Sequence, residues 1–205
     1  EFAEDLGIKA ELKPVPALTL GAFEMTPLEV LQVYSTFANF GDRVPLSFFR
    51  RIETLEGELL YANESEAVRV LDKVNAAILL GMMKQTIQNG TAWFLKNLGF
   101  KAPAAGKTGT TSDTKDAWFA GMTPQHVAIV WVGYDDNTES SLTGASGAVP
   151  IWAEYMKAAT SHLPELEFEW PEGAVPYTLG VEQLIDLNVP EDEKRPLEQI
   201  GRAHV

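Results

Sequence analysis

The chain has 205 residues, 45% of them hydrophobic, and a net charge of −13 at pH 7. This length is enough for one domain with a sizeable core. The acidic balance argues against nucleic acid as a partner, because affinity for polyphosphates depends on Lys and Arg. There is no cysteine, and His126, His162 and His204 are scattered along the chain. Because neither a thiolate site nor a histidine cluster is indicated, we expect no metal and no cofactor.

No segment has the pattern of a membrane span or a leader. The longest apolar run, 127–133, is far shorter than the ~20 residues that a spanning helix needs. The first five residues, 1–5, lack the basic start and apolar middle of a signal peptide. We therefore expect any export signal or membrane anchor to lie outside this chain.

The first predicted helix begins at Thr26. Thr26 can cap it, Pro27 suits the first helical position, and Glu29 can reach back to complete a capping box. The helix should stop near Gly41. Three- and four-residue spacing predicts that the buried face carries Leu28, Leu31, Tyr34, Ser35 and Ala38.

Two further helices are predicted. One should run from an Asp72 cap to Asn89-Gly90, where a left-handed residue can end it. The other should run from Pro150 to Ser161. Their expected apolar faces carry Val74, Ile78, Leu79, Met82, Met83 and Ile87 in the first, and Ile151, Tyr155, Ala158 and Ala159 in the second.

Strand patterns occur in two regions. Segments 46–55 and 58–62 flank Glu56-Gly57 and predict a hairpin. Segments 105–111, 117–122 and 126–134 predict an antiparallel meander, with Thr123-Pro124 as the second connection. The last of these strands does not alternate with polar residues, so we expect helices to cover both of its faces.

The character of the chain changes after residue 163. Acidic side chains greatly outnumber the two basic ones, Lys194 and Arg195, in residues 165–199, and four prolines interrupt this stretch. This composition favours an extended or partly disordered tail over a second core. We therefore divide the chain into a domain at 1–163 and an acidic tail at 164–205, whose last residues, 200–205, look like an artificial C-terminus.

The most informative motif is Lys107–Thr110, with the sequence Lys-Thr-Gly-Thr on a predicted strand. A Lys-Thr-Gly strand is one signature of penicillin-binding proteins and active-site serine β-lactamases. Four residues alone are weak evidence, because such strings arise by chance. Stronger evidence for a family comes from the sequence on either side of the motif.

The sequence around this motif resembles the transpeptidase domain of class A bifunctional penicillin-binding proteins. The resemblance rests on runs between residues 16 and 152. These runs are Pro16–Gly21, Met25–Val30, Gln88–Ala92, Ala105–Thr111, Asp116–Gly121, Val130–Asp136 and Gly144–Trp152. The resemblance implies an α+β fold of the penicillin-binding protein/serine β-lactamase type, with helices flanking an antiparallel sheet.

It also implies an activity and a set of roles. A serine would attack the penultimate D-alanine carbonyl of a peptidoglycan stem peptide, release the last D-alanine, and pass the acyl group to an amine. Lys107 would place positive charge near the substrate carboxylate and assist the hydrogen-bond relay. Thr108 and Thr110 hydroxyls would bind that carboxylate, the Thr110 N–H would form half of the oxyanion hole, and Gly109 would let the substrate lie flat.

The partners and location that the resemblance implies are those of cell-wall synthesis. Stem peptides ending in D-Ala-D-Ala, β-lactam antibiotics and other cell-wall synthesis proteins are the expected partners. The expected location is the outer face of the bacterial cytoplasmic membrane, in the periplasm, reached through an anchor outside this chain.

The sequence also departs from the family. Neither Ser-x-x-Lys nor Ser-x-Asn occurs before Lys107, although both motifs should precede the Lys-Thr-Gly strand. The one formal match, 112–115, follows the strand in a polar loop and is a decoy. We expect the chain alone to be inactive. Two alternatives stay open: a catalytically inactive binding module of the same fold, and a serine β-lactamase relative, which would hydrolyse the acyl group.

Overall fold

A computed structural model describes residues 1–13, 15–21 and 23–174. The helices are α1 (Phe2–Asp5), α2 (Pro27–Ala38), α3 (Lys73–Gln88) and α4 (Val149–Thr160). The strands are β1 (Asp42–Arg43), β2 (Arg51–Glu53), β3 (Leu59–Ala62), β4 (Val68–Arg69), β5 (Ala105–Thr110), β6 (Ala117–Met122) and β7 (Val127–Val132). Short 3-10 turns lie at 16–20, 93–98 and 112–114, and one π turn at 144–148 leads into α4.

The predicted helix starts are confirmed. The Thr26 hydroxyl accepts a hydrogen bond from the Glu29 N–H at 3.2 Å, and the Glu29 carboxylate accepts one from the Thr26 N–H at 2.9 Å. The Asp72 carboxylate accepts from Val74 N–H and Asn75 N–H at the start of α3. Both caps satisfy N–H groups that have no partner within the helix.

The predicted left-handed end of α3 is wrong. Asn89 has φ −138° and ψ −2°, and Gly90 is absent from the positive-φ glycines of the described residues. Gly90 is needed for space instead, because a Cβ there would lie 2.7 Å from Thr86 Cα.

Glu29 makes the start of α2 sensitive to acid. Hydrogen bonds from the Thr26 N–H and hydroxyl, and from the backbone of Lys9 and Ala10, lower the pKa of Glu29 from 4.5 to about 2. The carboxylate therefore contributes stability above about pH 4.5, and this contribution is lost as the pH falls towards about 2.

Glu29→Gln should remove this pH dependence. Because the side chain is partly solvated, we expect a loss of at most about 1 kcal/mol near pH 6, shrinking as the pH falls. Urea unfolding of both proteins at several pH values measures the difference. A difference that stays constant between pH 6 and the lowest accessible pH would contradict the assignment.

The central sheet is the predicted antiparallel meander, in the order β5-β6-β7. Ala105 pairs with Met122 at one end of β5, and Thr110 pairs with Ala117 at the other. The turn after β6 is held by the Thr123 hydroxyl, which accepts from two backbone N–H groups at 125 and 126.

Helices flank both faces of this sheet, as the resemblance implied, whereas the full cover expected for the last strand does not form. On one face, Phe119 packs with Trp152 and Met156 of α4. On the other, Met122 packs with Leu80 and Met83 of α3, and α2 contributes partly buried aromatic side chains. The cover is incomplete on β7, where Trp131 is 38% exposed.

The helix faces chosen from the sequence are partly wrong. α4 buries Trp152 and Met156 against the sheet, whereas Ile151 and Tyr155, which were expected on the buried side, are exposed. On α3, Ile78 and Met82 are exposed, although Met83 and Ile87 are buried as expected. On α2, the expected Leu28 is exposed.

The predicted hairpin forms but is shorter than expected. β2 and β3 pair antiparallel, whereas residues 46–50 are not strand. Phe48 is 85% exposed, and Leu55 at the hairpin turn is fully exposed. The hairpin therefore lies outside the core.

After α4 the chain is extended and returns to α3. Phe168 is 6% exposed and joins the cluster around Leu80. The Lys84 ammonium lies 5.5 Å from the Phe168 ring centroid and 5.4 Å from that of Trp170. The division at 163/164 stays a prediction, and residues 175–205, including 200–205, lie outside the described residues. None of the helices in the described ranges combines the length and the apolar composition of a membrane span.

Candidate functional site

The Lys-Thr-Gly-Thr motif lies on β5, which pairs only with β6 in the part of the chain that the structure describes. The Thr111 N–H points towards β6, where it donates to the Asp116 carbonyl at 3.1 Å. Because successive N–H groups of a strand point in opposite directions, the N–H groups of Thr110 and Thr108 point to the open edge. This edge therefore offers unpaired backbone donors beside the motif.

Two glycines let β5 and β6 approach the core closely. A Cβ at Gly106 would lie 2.7 Å from the Phe119 ring, and one at Gly121 would lie 2.5 Å from the Trp152 ring. Both distances are below any real Cβ contact, so these positions require glycine. Gly106 and Gly121 thus allow β5 and β6 to pack directly against Phe119 and Trp152.

Lys107 is exposed at the open edge. Its ammonium donates to the Thr108 carbonyl at 2.8 Å, so the side chain bends over the edge of the strand. None of the ion pairs formed by described residues involves Lys107. Its charge is therefore available to a ligand.

The two threonine side chains lie on the other side of β5. Alternation places Lys107 and Gly109 on one side of the strand and Thr108 and Thr110 on the other. Thr108 Oγ1 lies 2.7 Å from Thr91 Oγ1, and Thr110 Oγ1 accepts from the Gly144 N–H at 3.0 Å. A ligand along the edge would meet the ammonium from one side and the hydroxyls from the other.

Gly109 opens the Lys107 side of the strand. A Cβ there would lie 3.3 Å from Trp118 Cβ, a tight contact. Trp118 lies opposite Gly109 in the ladder, and Trp131 lies opposite Trp118. The two indoles are tilted by 45° with their centroids 6.2 Å apart. An aromatic surface thus flanks the motif.

The π turn before α4 lies directly on the backbone of the motif. A Cβ at Gly144 would lie 2.5 Å from the Trp118 carbonyl oxygen and 2.6 Å from that of Gly109. Thr143 and Ser146 cap this turn reciprocally. Sequence reasoning included residues 144–152 in the resemblance but did not identify this contact, nor that of Thr91.

The formal Ser-x-x-Lys match lies in the turn between β5 and β6. Ser112 begins a three-residue 3-10 turn, and Lys115 Nζ lies 3.9 Å from Asp113 Oδ2. Ser112 is exposed and does not start a buried helix. Within the described ranges, no group of three or more His, Asp or Glu side chains is placed to hold a metal.

Comparison with known proteins identifies relatives of this fold and sequence. Residues 13–157 match the penicillin binding protein transpeptidase domain family. Penicillin-binding protein 1B of Vibrio cholerae is 42% identical over 170 residues, which are 82% of this chain and 22% of that protein. Penicillin-binding protein 1B of Escherichia coli is 43% identical over 159 residues, covering 76% of this chain and 18% of that protein. The chain therefore spans about a fifth of the length of these curated relatives.

Solved structures agree with the fold. The crystal structure of penicillin-binding protein 1A from Haemophilus influenzae matches with a TM-score of 0.75 and 27% identity, over 82% of this chain and 31% of that one. PonA1 from Mycobacterium tuberculosis in complex with penicillin V matches with a TM-score of 0.69 and 21% identity, over 82% and 50%, and so supports the fold alone. The chain belongs to the penicillin-binding protein transpeptidase family, as a part of the class A transpeptidase domain.

Proposed function

We propose that this chain supplies the substrate-binding strand of a serine D-Ala-D-Ala transpeptidase that cross-links peptidoglycan, and that β-lactams bind at the same strand. The observation that carries the proposal is the exposed Lys107 ammonium, which bends over a strand edge whose Thr110 N–H points outward. The family match over residues 13–157 supports it. The proposed location is the periplasmic face of the bacterial cytoplasmic membrane.

The open edge of β5 suits an extended peptide. A stem peptide would add to the edge as a further strand and use its unpaired backbone groups. The terminal carboxylate would then lie near Lys107, where a charge-assisted hydrogen bond is stronger than a neutral one. Gly109 has no side chain to hold the peptide away from the strand.

The threonine hydroxyls can serve the carboxylate although each already has a partner. A hydroxyl has one hydrogen and two lone pairs. Thr110 Oγ1 accepts from Gly144 N–H, so its hydrogen is free to donate to a carboxylate. When Thr91 donates to Thr108, the Thr108 hydrogen is free in the same way.

The Thr110 N–H would stabilise the transition state. A serine oxygen attacks the penultimate carbonyl carbon, and negative charge develops on the carbonyl oxygen. The C–N bond to the last D-alanine then breaks, and that residue leaves as the amine, taking the proton that the serine hydroxyl gave up on attack. An amine of a neighbouring stem peptide later displaces the serine oxygen and gives up a proton to it. Removing one oxyanion donor typically costs about 10²–10³ in rate. The nucleophile in this proposal comes from a part of the polypeptide beyond these 205 residues.

A chimera tests this function. Residues 13–157 would replace the matching segment of Vibrio cholerae penicillin-binding protein 1B, which provides the rest of the domain. We expect the chimera to be labelled covalently by a fluorescent penicillin, whereas the isolated chain stays unlabelled. Lys107→Ala should slow labelling about 10- to 100-fold, because a hydrogen bond to a charged group is lost.

Lys101→Ala is the matched control, since Lys101 is an exposed lysine that precedes β5 and lies outside both the motif and the turn at 111–116. It should label at the rate of the unsubstituted chimera. Equal losses in the two variants would refute the role of Lys107. A folded chimera that takes no label, or an isolated chain that does, would overturn the proposed function.

A further inference from the structure

We propose that Asp116 is a positioning residue that holds the end of β5 in the geometry needed by the Thr110 N–H. This inference rests on the proposed function. It concerns a cluster of three side chains, Thr111, Asp116 and Trp131, which we call the Asp116 cluster.

Both oxygens of the Asp116 carboxylate are used by other segments. Thr111 Oγ1 donates to Oδ2 at 3.0 Å, and Trp131 Nε1 donates to Oδ1 at 2.8 Å. The Thr111 hydroxyl also accepts from the Asp116 N–H at 2.8 Å, and the Thr111 N–H donates to the Asp116 carbonyl at 3.1 Å. Asp116, which lies just before β6, therefore connects Thr111, just after β5, to Trp131 on β7.

The turn that Asp116 closes is conformationally costly. Asp113 and Thr114, neither of them glycine, have φ values of 60° and 50°. Left-handed conformations of this kind are unfavourable for residues with a Cβ, above all for a β-branched one. Such a turn persists only when its surroundings hold it. The Asp116 cluster holds one side, and Ser140, which donates to the Thr114 carbonyl through its hydroxyl and its N–H, holds the other.

Gly133 makes room for the cluster. A Cβ there would lie 2.9 Å from Trp131 Cζ2 and 3.1 Å from Asp116 Oδ1. A side chain at this position would push the indole off the carboxylate. The cluster thus connects the residues just after β5 and just before β6 to Trp131 on β7, and Gly133 after β7 leaves the space for it.

The cluster acts on one part of the site and not on the other. Thr111 follows Thr110 directly, so fixing Thr111 fixes the direction of the strand at the oxyanion donor. Lys107 pairs with Ala120, three pairs along the ladder from the pair of Thr110 with Ala117. Transition-state donors must be placed to within a few tenths of an ångström. Loss of the hydrogen bonds of the Asp116 cluster should therefore slow acylation more than it weakens carboxylate binding.

Stopped-flow acylation of the chimera by a chromogenic cephalosporin separates these two quantities. It gives the acylation rate constant and the dissociation constant of the preceding complex. We expect Asp116→Ala to lower the acylation rate constant about 10- to 100-fold, with the dissociation constant changing about 2-fold or less. Asp116→Asn should recover most of the rate, because its amide can accept from Trp131 and donate to Thr111.

Trp131→Phe keeps an aromatic ring and removes the indole donor, so it should lower the acylation rate constant by about 3- to 10-fold. Asp136→Ala is the control, because Asp136 is an exposed aspartate that accepts from the Thr138 N–H outside the cluster. It should leave both constants unchanged.

The outcomes separate the two proposals. An unsubstituted chimera that is folded but not acylated overturns the proposed function, and the role of Asp116 with it. Acylation that proceeds with an unchanged rate constant in Asp116→Ala overturns the positioning role alone. Where Asp116→Ala does not fold, an unchanged rate constant in Trp131→Phe overturns it equally.

Discussion

We expect Gly144→Ala to lower the free energy of unfolding by about 3 kcal/mol or more. The added Cβ would lie 2.5 Å from the Trp118 carbonyl oxygen, 2.6 Å from that of Gly109 and 3.0 Å from the Gly109 nitrogen. All three atoms belong to the backbone, so no side-chain rotation can relieve the overlap. Either the π turn lifts from the sheet or β5 separates from β6.

Urea unfolding of the chain measures this loss, and Gly81→Ala is the matched control. Gly81 lies inside α3, where a Cβ would come no closer than 3.8 Å to Trp170. Because glycine is unfavourable within a helix, this second substitution should raise stability by about 0.5–1 kcal/mol. Losses of similar size at both positions would show that the contact with the β5 backbone is not what Gly144 provides.

Gly144→Ala should also change the candidate site. Lifting the turn removes the hydrogen bond from the Gly144 N–H to the Thr110 hydroxyl. The same glycine therefore links the start of α4 to the strand that carries the motif. A change in fold stability and a change in acylation rate are expected together in the chimera.

Signals that are local in the sequence predicted local structure correctly. The capping box of Thr26 and Glu29 and the Asp72 cap form at the predicted residues. The meander and its Thr123 turn follow from short-range patterns of strand and turn residues. The strand pattern at 105–111 placed the motif on β5, because the residues that decide this lie within one segment.

Burial was harder to predict, because polar residues can be buried and apolar ones exposed. α2 buries Gln32 and Thr36 instead of Leu28. The Gln32 amide bonds the backbone of Val44 and Leu46, and the Thr36 hydroxyl bonds the Gln32 carbonyl. These bonds compensate burial of the polar groups. Hydrophobic periodicity does not predict these hydrogen bonds, and so it does not predict that Gln32 and Thr36 are buried.

The contacts of the site with distant segments could not be read from the sequence. Thr91 meets Thr108 from 17 residues away, and Gly144 meets Thr110 from 34 residues away. Tertiary packing brings these segments together: α3 ends beside β5, and the π turn lies on it. Asp116 and Trp131 both belong to the runs that carry the family resemblance, but their hydrogen bond depends on the register of β6 with β7.

Trp152→Ala should be the most destabilising substitution of those considered, at about 3–5 kcal/mol. Trp152, on the face of α4 that packs against the sheet, is fully buried. Its ring contacts those of Phe100 and Phe119 edge to face, with centroids 5.1 Å and 5.3 Å away. Its indole N–H donates to the Ala128 carbonyl at 3.1 Å, so truncation leaves both a cavity and a partly buried carbonyl without that donor.

Trp93→Ala separates the effect of position from the effect of losing an indole. Trp93 is 60% exposed in the 3-10 turn after α3, so its truncation should cost about 1 kcal/mol or less. Unfolding in urea at constant pH gives both values. Trp152→Ala should also loosen β5, the strand that carries Lys107. Trp152 contacts Gly121 and Phe119 of β6, and β6 pairs with β5. Equal costs at the two tryptophans would mean that Trp152 does not anchor the sheet to α4.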